Sequence, residues 1–309
     1  MKISHRYVVA ALLGLGFYAN VASADENLFG YVKGAETMPK GTYELDQQIT
    51  YRGDKGVGTY HAWDSKTELE YGVTDKFEAA VYVKAQAINT KNVIVNAYIP
   101  GDEQYGPRLS GVGTEFKYMF LSPAKDDFGL AGYLDLGYSW LDPHSGLDKD
   151  TYSVEAKLIG QKYFMEGQLV WAGNLGVEAV YAKRASLSAK RQASLDAIVG
   201  AGNFDWPVDN EMEVELSAGT GLSYRFAPNW SIGGEALYES EYETTVGQER
   251  WSVFAGPNIH YGGEKYWATL TVFHQLRGYG NPNSAQLDDN LQLIERTKNE
   301  VRLKVGFDF

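Results

Sequence analysis

The chain has 309 residues, no cysteine, 34 glycines, 22 tyrosines and a formal charge of −12. The absence of cysteine excludes disulfide frameworks and thiolate metal sites, the acidic balance argues against nucleic acid as a partner, and beyond residue 24 no apolar run approaches the roughly 18–20 residues of a spanning helix. With 44% hydrophobic and 14% aromatic residues the chain is a folded one, and a mean hydropathy of −0.33 leaves a soluble β protein or a membrane β-barrel.

Residues 1–24 read as a secretory signal peptide. Lys2 and Arg6 form a basic start, Val8 to Tyr18 is a short apolar stretch, and Val21-Ala22-Ser23-Ala24 supplies the small-residue cleavage pattern. Removing Lys2 and Arg6 takes the net charge from −12 to −14. Residues 25–40 alternate poorly. Leu28, Phe29 and Tyr31 suit either a short plug in a lumen or a periplasmic tail.

From Gly41 to Phe309 the pattern has period two, broken by turn residues, which predicts strands. The first is Thr42 to Arg52, with Tyr43, Leu45, Ile49 and Tyr51 opposite Glu44, Asp46, Gln48 and Arg52. The second is Tyr60 to Val73, and Thr74-Asp75-Lys76 turns it into the third, Phe77 to Ile88. Val112 to Leu121, Phe128 to Leu141, Thr151 to Lys162 and Gln168 to Ala182 follow. Glu213 to Phe226, Trp230 to Ser240, Arg250 to Tyr261, Lys265 to Arg277 and Lys298 to Phe309 complete about twelve. Connections after even strands are short, whereas 89–111, 183–212 and 278–297 are long. That layout and an even strand count predict a closed antiparallel transmembrane β-barrel, all-β, with turns periplasmic and loops outside.

Aromatic pairs flank the apolar faces: Tyr43 and Tyr51, Trp63 and Tyr71, Trp171 and Tyr181, Trp230 and Tyr238, Trp251 and Tyr261. At about 3.3 Å per residue and a tilt of roughly 40° they lie on the order of 20–25 Å apart along the membrane normal, matching the apolar band and aromatic girdles of outer-membrane barrels. The chain ends on Phe309, on the same face as Val301, Leu303, Val305 and Phe307, a C-terminal aromatic of the kind presented to the barrel-assembly machinery. The predicted location is the outer membrane of a Gram-negative bacterium, with lipid and lipopolysaccharide as surroundings.

Tyr71-Gly72-Val73-Thr74-Asp75-Lys76-Phe77, Gly113-Thr114-Glu115-Phe116-Lys117-Tyr118 and Tyr224-Arg225-Phe226-Ala227-Pro228-Asn229-Trp230 resemble segments of transporter-like barrels associated with meta-pathway phenol degradation, and of related uncharacterised bacterial barrels. The resemblance implies a barrel fold and transport of aromatic compounds.

The polar faces would line the lumen. The pore-lining candidates are Glu68, Glu70, Lys84, Glu115, Lys117, Asp135, Glu155, Lys157, Arg225, Glu235, Arg250, Arg302 and Lys304, with Glu44, Asp46, Asp64 and Lys66 on the same faces. They suit either a wall solvated by salt bridges or a charged selectivity ring. Residues Ala185 to Val199 suit a short helix at the rim, and Asp288-Asp289 lacks EF-hand spacing. Gly219 and Gly221 face inward and give backbone room. His61 and Ser65 share the outer face at a separation of about 13 Å, too far to pair, and neither a metal-binding HExxH motif nor a nucleophile elbow is present. No cofactor, metal or catalytic residue is expected. Three functions remain open: a passive channel or transporter for small solutes, aromatic or hydrophobic ones among them; a surface barrel whose loops bind a partner; and, third, a lipid-modifying enzyme.

Overall fold

The computed structural model describes residues 27–93, 95, 99–203, 206–243, 247–280 and 290–309. The signal peptide, its cleavage near Ala24 and Asp288-Asp289 lie outside the described residues.

Twelve antiparallel strands close into one barrel in which every strand pairs with its sequence neighbours and β1 pairs with β12. They are β1 Tyr43–Gly53, β2 Thr59–Thr74, β3 Phe77–Lys91, β4 Gln104–Leu121, β5 Gly129–Leu141 and β6 Asp148–Phe164, then β7 Leu169–Arg184, β8 Asn210–Ala227, β9 Trp230–Glu243, β10 Gly247–Gly262, β11 Tyr266–Tyr279 and β12 Asn299–Asp308. Closure satisfies every edge, which a wall facing hydrocarbon requires. At the seam Phe309 donates its N–H to Tyr43 O at 3.0 Å, and Tyr43 donates to Phe309 O at 3.3 Å. The alternation is the reason for the shape. Val81, Leu158, Leu175 and Val272 point outward and stay exposed, while Glu68, Glu115 and Glu235 on neighbouring positions point inward and are buried.

Aromatic rings mark both ends of the outer wall. Tyr43, Tyr71 and Phe309 cluster at the turn end, as do Trp230 and Tyr261 at 5.0 Å. Tyr51 and Trp63, and Tyr138 and Tyr152, cluster at the loop end.

Several strands reach further toward the loop end than alternation alone indicates. β4 starts at Gln104 rather than Val112, because register shifts at Lys84/Ala85 and Gln86/Ile88 absorb the extra residues around Gly106-Pro107. The long connections shrink to 92–103, 185–209 and 280–298. The connection after β7 carries one helix among its described residues, α1 Ala189–Val199, capped by Ser188 and four residues shorter at its start than the pattern predicts.

Candidate functional site

Residues 27–40 run inside the barrel. Gly41 donates to Gly72 O at 2.7 Å at the turn end, and Lys40 N donates to Asp75 at 3.0 Å. From there the segment climbs along β5–β7 to Tyr31, which stacks on Phe273 at 4.1 Å, and descends to Asn27 beside Thr269 and Glu44. Its apolar residues Phe29, Val32, Ala35 and Met38 are all buried.

The wall is shaped to receive this plug. A Cβ on Gly221 would stand 2.6 Å from the Phe29 ring, and one on Gly219 would stand 3.3 Å from Val32 Cγ2. The inward Gly-x-Gly is therefore the seat of two plug side chains. Ala35 packs against Ala131, Tyr133 and Ile159. Polar wall residues satisfy the plug backbone, which has no strand to pair with. Glu235 accepts the N–H groups of Gly30 at 2.8 Å, Tyr31 at 2.8 Å and Val32 at 3.0 Å. Asn174 brackets Lys33, accepting its N–H at 2.7 Å and donating to its carbonyl at 2.9 Å. Gln161 accepts from Ala35 N at 2.6 Å and Glu78 from Met38 N at 2.9 Å. Arg302 donates to Gly30 O at 3.1 Å and Lys304 to Asn27 at 2.7 Å.

Between the plug and the β12–β1–β6 wall lies a cavity of about 190 Å³. Of the predicted pore-lining residues, Glu68, Glu70, Glu115, Lys117, Asp135, Glu155, Lys157, Arg302 and Lys304 border it. The other four serve elsewhere. Lys84 lies over the Tyr82 ring, Arg225 sits at the turn end of β8, Glu235 is under the plug, and Arg250 is near the mouth against Glu241, Glu249 and Glu295. Charges around the cavity are paired: Lys66 with Glu68 and Glu115, Lys117 with Glu78 at 3.1 Å, Lys157 with Glu155 at 2.6 Å and Lys304 with Asp46 at 3.4 Å. Lys117 stands directly opposite Glu78, Lys66–Glu68 and Lys157–Glu155 run along a strand, Lys304–Asp46 is diagonal, and Lys66 reaches past β3 to Glu115, whose own register partner on β5 is Asp135.

Loops fold over the other end. Val93, Val95, Ile99 and Ile294 form an apolar cluster with Tyr60, Ala62 and Ile88. Lys55 Nζ donates to the carbonyls of Ile294 at 2.8 Å and Arg296 at 3.0 Å. Asp142 accepts the N–H groups of His144 and Ser145, both at 2.8 Å. Burial holds the His144 imidazole well below its usual pKa, and the nearby Lys55, Arg52 and Lys149 charges push the same way against Glu295. Burial pushes the Glu295 carboxyl up, but Arg250, with Arg296 behind it, holds it well below the usual carboxylate range.

The outer face shows no coupling of His61 to Ser65. His61 bonds to Tyr51 OH at 2.6 Å, and Ser65 accepts from Gln47 at 3.0 Å.

The model of a family of unknown function, DUF6662, matches residues 21–309. The chain belongs to the DUF6662 family. No curated protein matches it in sequence. The DUF6662 barrel is similar in structure to the COG4313 outer membrane channel from Pseudomonas putida F1, with a TM-score of 0.56, 13% identity and coverage of 89% of this chain and 98% of that one. It is also similar to the β domain of the Bordetella autotransporter BrkA, with a TM-score of 0.50, 11% identity and coverage of 88% and 100%. At such identities the likeness establishes the fold of an outer-membrane barrel, in line with the channel-type barrels that the strand–turn segments resemble.

Sequence reasoning missed Lys33, Asn174 and Gln161 as members of the site, and the role of Glu235 as a cradle for the plug. The one sequence signal for the plug's seat was the pair of inward glycines at 219 and 221.

Proposed function

We propose that this DUF6662 protein is a passive outer-membrane channel for small solutes, closed in the state described here by residues 27–40. Residues 1–24 would direct it across the inner membrane, the turn end would face the periplasm and the loop end the exterior. Phe309 at the seam is suited to engage the barrel-assembly machinery, and the outer wall to contact lipid and lipopolysaccharide.

One observation carries the reading. In the turn-end half of the lumen a tethered peptide occupies the space that wall side chains leave beside the cavity. Gly219, Gly221, Ala131 and Ala172 leave the space that the plug occupies. A barrel with a purely structural role closes more simply by filling its lumen from the wall. Here the filler joins the wall through Lys40–Tyr43, and its contacts are hydrogen bonds, ion pairs and apolar packing that can be exchanged for water. The lining narrows the solute class. Placing an apolar compound against buried carboxylates and ammonium groups would desolvate them without compensation, so polar or charged solutes fit better, with tyrosine faces available to an aromatic ring.

The test is conductance in planar bilayers. The full chain should show rare openings, and a variant lacking residues 27–37 should show a steady open level. Silence from both, with the barrel folded, would reject the channel. The second reading is a surface barrel whose covered mouth binds a partner, and it draws on the apolar loop cluster around Val93, Ile99 and Ile294. Removing that loop cluster would then abolish binding while leaving conductance absent throughout.

A further inference from the structure

Lys33 is held with more specificity than closing a pore requires. Asn174 fixes its backbone on β7, and its side chain crosses the lumen to β4 and β5. There Nζ lies 2.9 Å from Glu115 Oε2 and 4.4 Å from the centroid of the Tyr133 ring. A carboxylate plus an aromatic face is the pairing that recognises an ammonium group. The side chain also borders the cavity and remains 34% exposed, so the seat communicates with open space.

The seat is one end of a longer feature. Glu115 on β4 is the register partner of Asp135 on β5, Asp135 of Glu155 on β6, Glu155 of Glu178 on β7, Glu178 of Glu215 on β8, and Glu215 of Glu241 on β9. Six carboxylates thus stand side by side across six adjacent strands, at the roughly 4.8 Å spacing of paired strands. Like charges directly opposite one another are unfavourable in a sheet, so a wall built for stability alone would alternate them. The row climbs the barrel. Glu115 lies six residues from the turn end of β4, and Glu241 lies two residues from the loop end of β9.

The wall's own Lys66, Lys157 and Arg250 pair with Glu115, Glu155 and Glu241, and two segments inside the barrel place further cations on this row. Lys33 of the plug sits on Glu115, and Arg296 of the β11–β12 loop sits on Glu215 at 3.2 Å and Glu239 at 3.3 Å. We propose that the carboxylate row is the path of a small organic cation with a primary ammonium group, and that Lys33 in its Glu115–Tyr133 seat is the chain's own occupant of that solute's site. This rests on the channel reading and adds the substrate class. An anion would meet the row as a like charge. A hard divalent metal would use oxygen ligands alone and gain nothing from the Tyr133 face. The one group of carboxylates close enough for a metal among the described residues, Asp46, Glu68 and Glu70, already holds Lys304 and Lys66 against Asp46 and Glu68.

The test is n-butylammonium binding to the full chain in detergent by titration calorimetry, comparing wild type, Lys33→Ala and Lys33→Ala/Glu115→Gln, each checked for a folded barrel by heat-modifiable gel mobility. Lys33→Ala should bind saturably and at least tenfold more tightly than wild type, and the added Glu115→Gln should remove at least that tenfold. Equal affinity in wild type and Lys33→Ala, or binding of calcium in place of the amine, would overturn the proposal. Should Lys33→Ala fail to fold, the reversal potential of the wild-type chain in a KCl gradient decides. Cation selectivity supports the proposal, and anion selectivity or no conductance overturns it. Amine binding without conductance would keep the site and reject the channel; conductance without amine binding or cation selectivity would keep the channel and reject the site.

Discussion

Glu235→Gln should release the plug while leaving the barrel closed on itself. Glu235 is 4% exposed. One carboxylate oxygen accepts from Gly30 N, Thr271 and Asn258, and the other accepts from Tyr31 N and Val32 N. A glutamine keeps one acceptor oxygen and puts an NH₂ group where the other stood. In the less costly orientation the NH₂ takes the first oxygen's place, where the Thr271 hydroxyl and the Asn258 amide can turn to accept it, so the plug loses the Gly30 N–H bond outright while its Tyr31 and Val32 bonds pass from a charged to a neutral oxygen. A hydrogen bond to a charged acceptor contributes about 1.5–3 kcal/mol and one to a neutral acceptor about 0.5–1.5 kcal/mol, so one lost bond and two weakened by about 1 kcal/mol each set a range of roughly 3–5 kcal/mol. Water from the adjoining cavity replaces part of this, which places the net loss near the lower bound, about 3 kcal/mol, or on the order of a hundredfold in the seated-to-released ratio. The strands of the barrel keep their ladders, so the barrel's own stability should change little. Because the chain has no cysteine, a single Val32→Cys reporter gives a clean assay. Val32 is 3% exposed in its seat, and its modification by a soluble maleimide follows the released population. Labelling should speed up about a hundredfold in Val32→Cys/Glu235→Gln. Equal rates within twofold would refute the assignment of Glu235 as the plug's main hold.

Gly221→Val should also loosen the plug, since its side chain takes the place of the Phe29 ring; losing that burial costs about 1.5–3 kcal/mol, a tenfold or greater rise in Val32→Cys labelling. Acid should open the loops at the mouth. The His144 pKa is lowered on folding, so its contribution is intact above its ordinary value near pH 6.5 and is lost as pH falls below that through the folded value. Glu295, also lowered, adds a second loss below about pH 4.5, where its unfolded form takes up a proton and the folded form does not. Limited proteolysis of the 142–147 loop should therefore accelerate below about pH 6.5 and lose that step in His144→Gln. Deleting Phe309 should lower the yield of assembled barrel in cells while purified, folded protein keeps its melting temperature, because the ring is exposed and the residue contributes mainly two backbone hydrogen bonds at the seam.

The barrel was legible because its signal repeats in every strand. In β12, Val301, Leu303, Val305 and Phe307 alternate with Glu300, Arg302, Lys304 and Asp308, and a period of two puts one set in lipid and the other in the lumen. Strand ends were less legible. The start of β4 passes through Gly106 and Pro107, where bulges break the alternation that would reveal it. The lumen depends on information that alternation does not hold. The Phe29 seat is made by Gly221, far along the chain, and neither residue carries a periodic signal pointing to the other. The carboxylate row requires the register of six strands at once, and a slip of a single residue would turn any member to the lipid face. Glu115, Asp135 and Glu155 could be placed on the inner wall from sequence, but their standing directly opposite one another could not.

A plug that leaves its seat without disturbing the wall is the core of the account, and a reversible lock tests it most directly. Val32 Cγ2 lies 3.3 Å from the position of a Cβ on Gly219, so a sulfur in the Cγ2 place would stand within reach of one on residue 219 for the roughly 2.0 Å S–S bond. Val32→Cys/Gly219→Cys, oxidised, should be silent in planar bilayers and should open when a reductant is added on the periplasmic side. An oxidised protein that conducts like the reduced one, or a reduced one that stays silent while the barrel is folded, would contradict a lumen gated by residues 27–40.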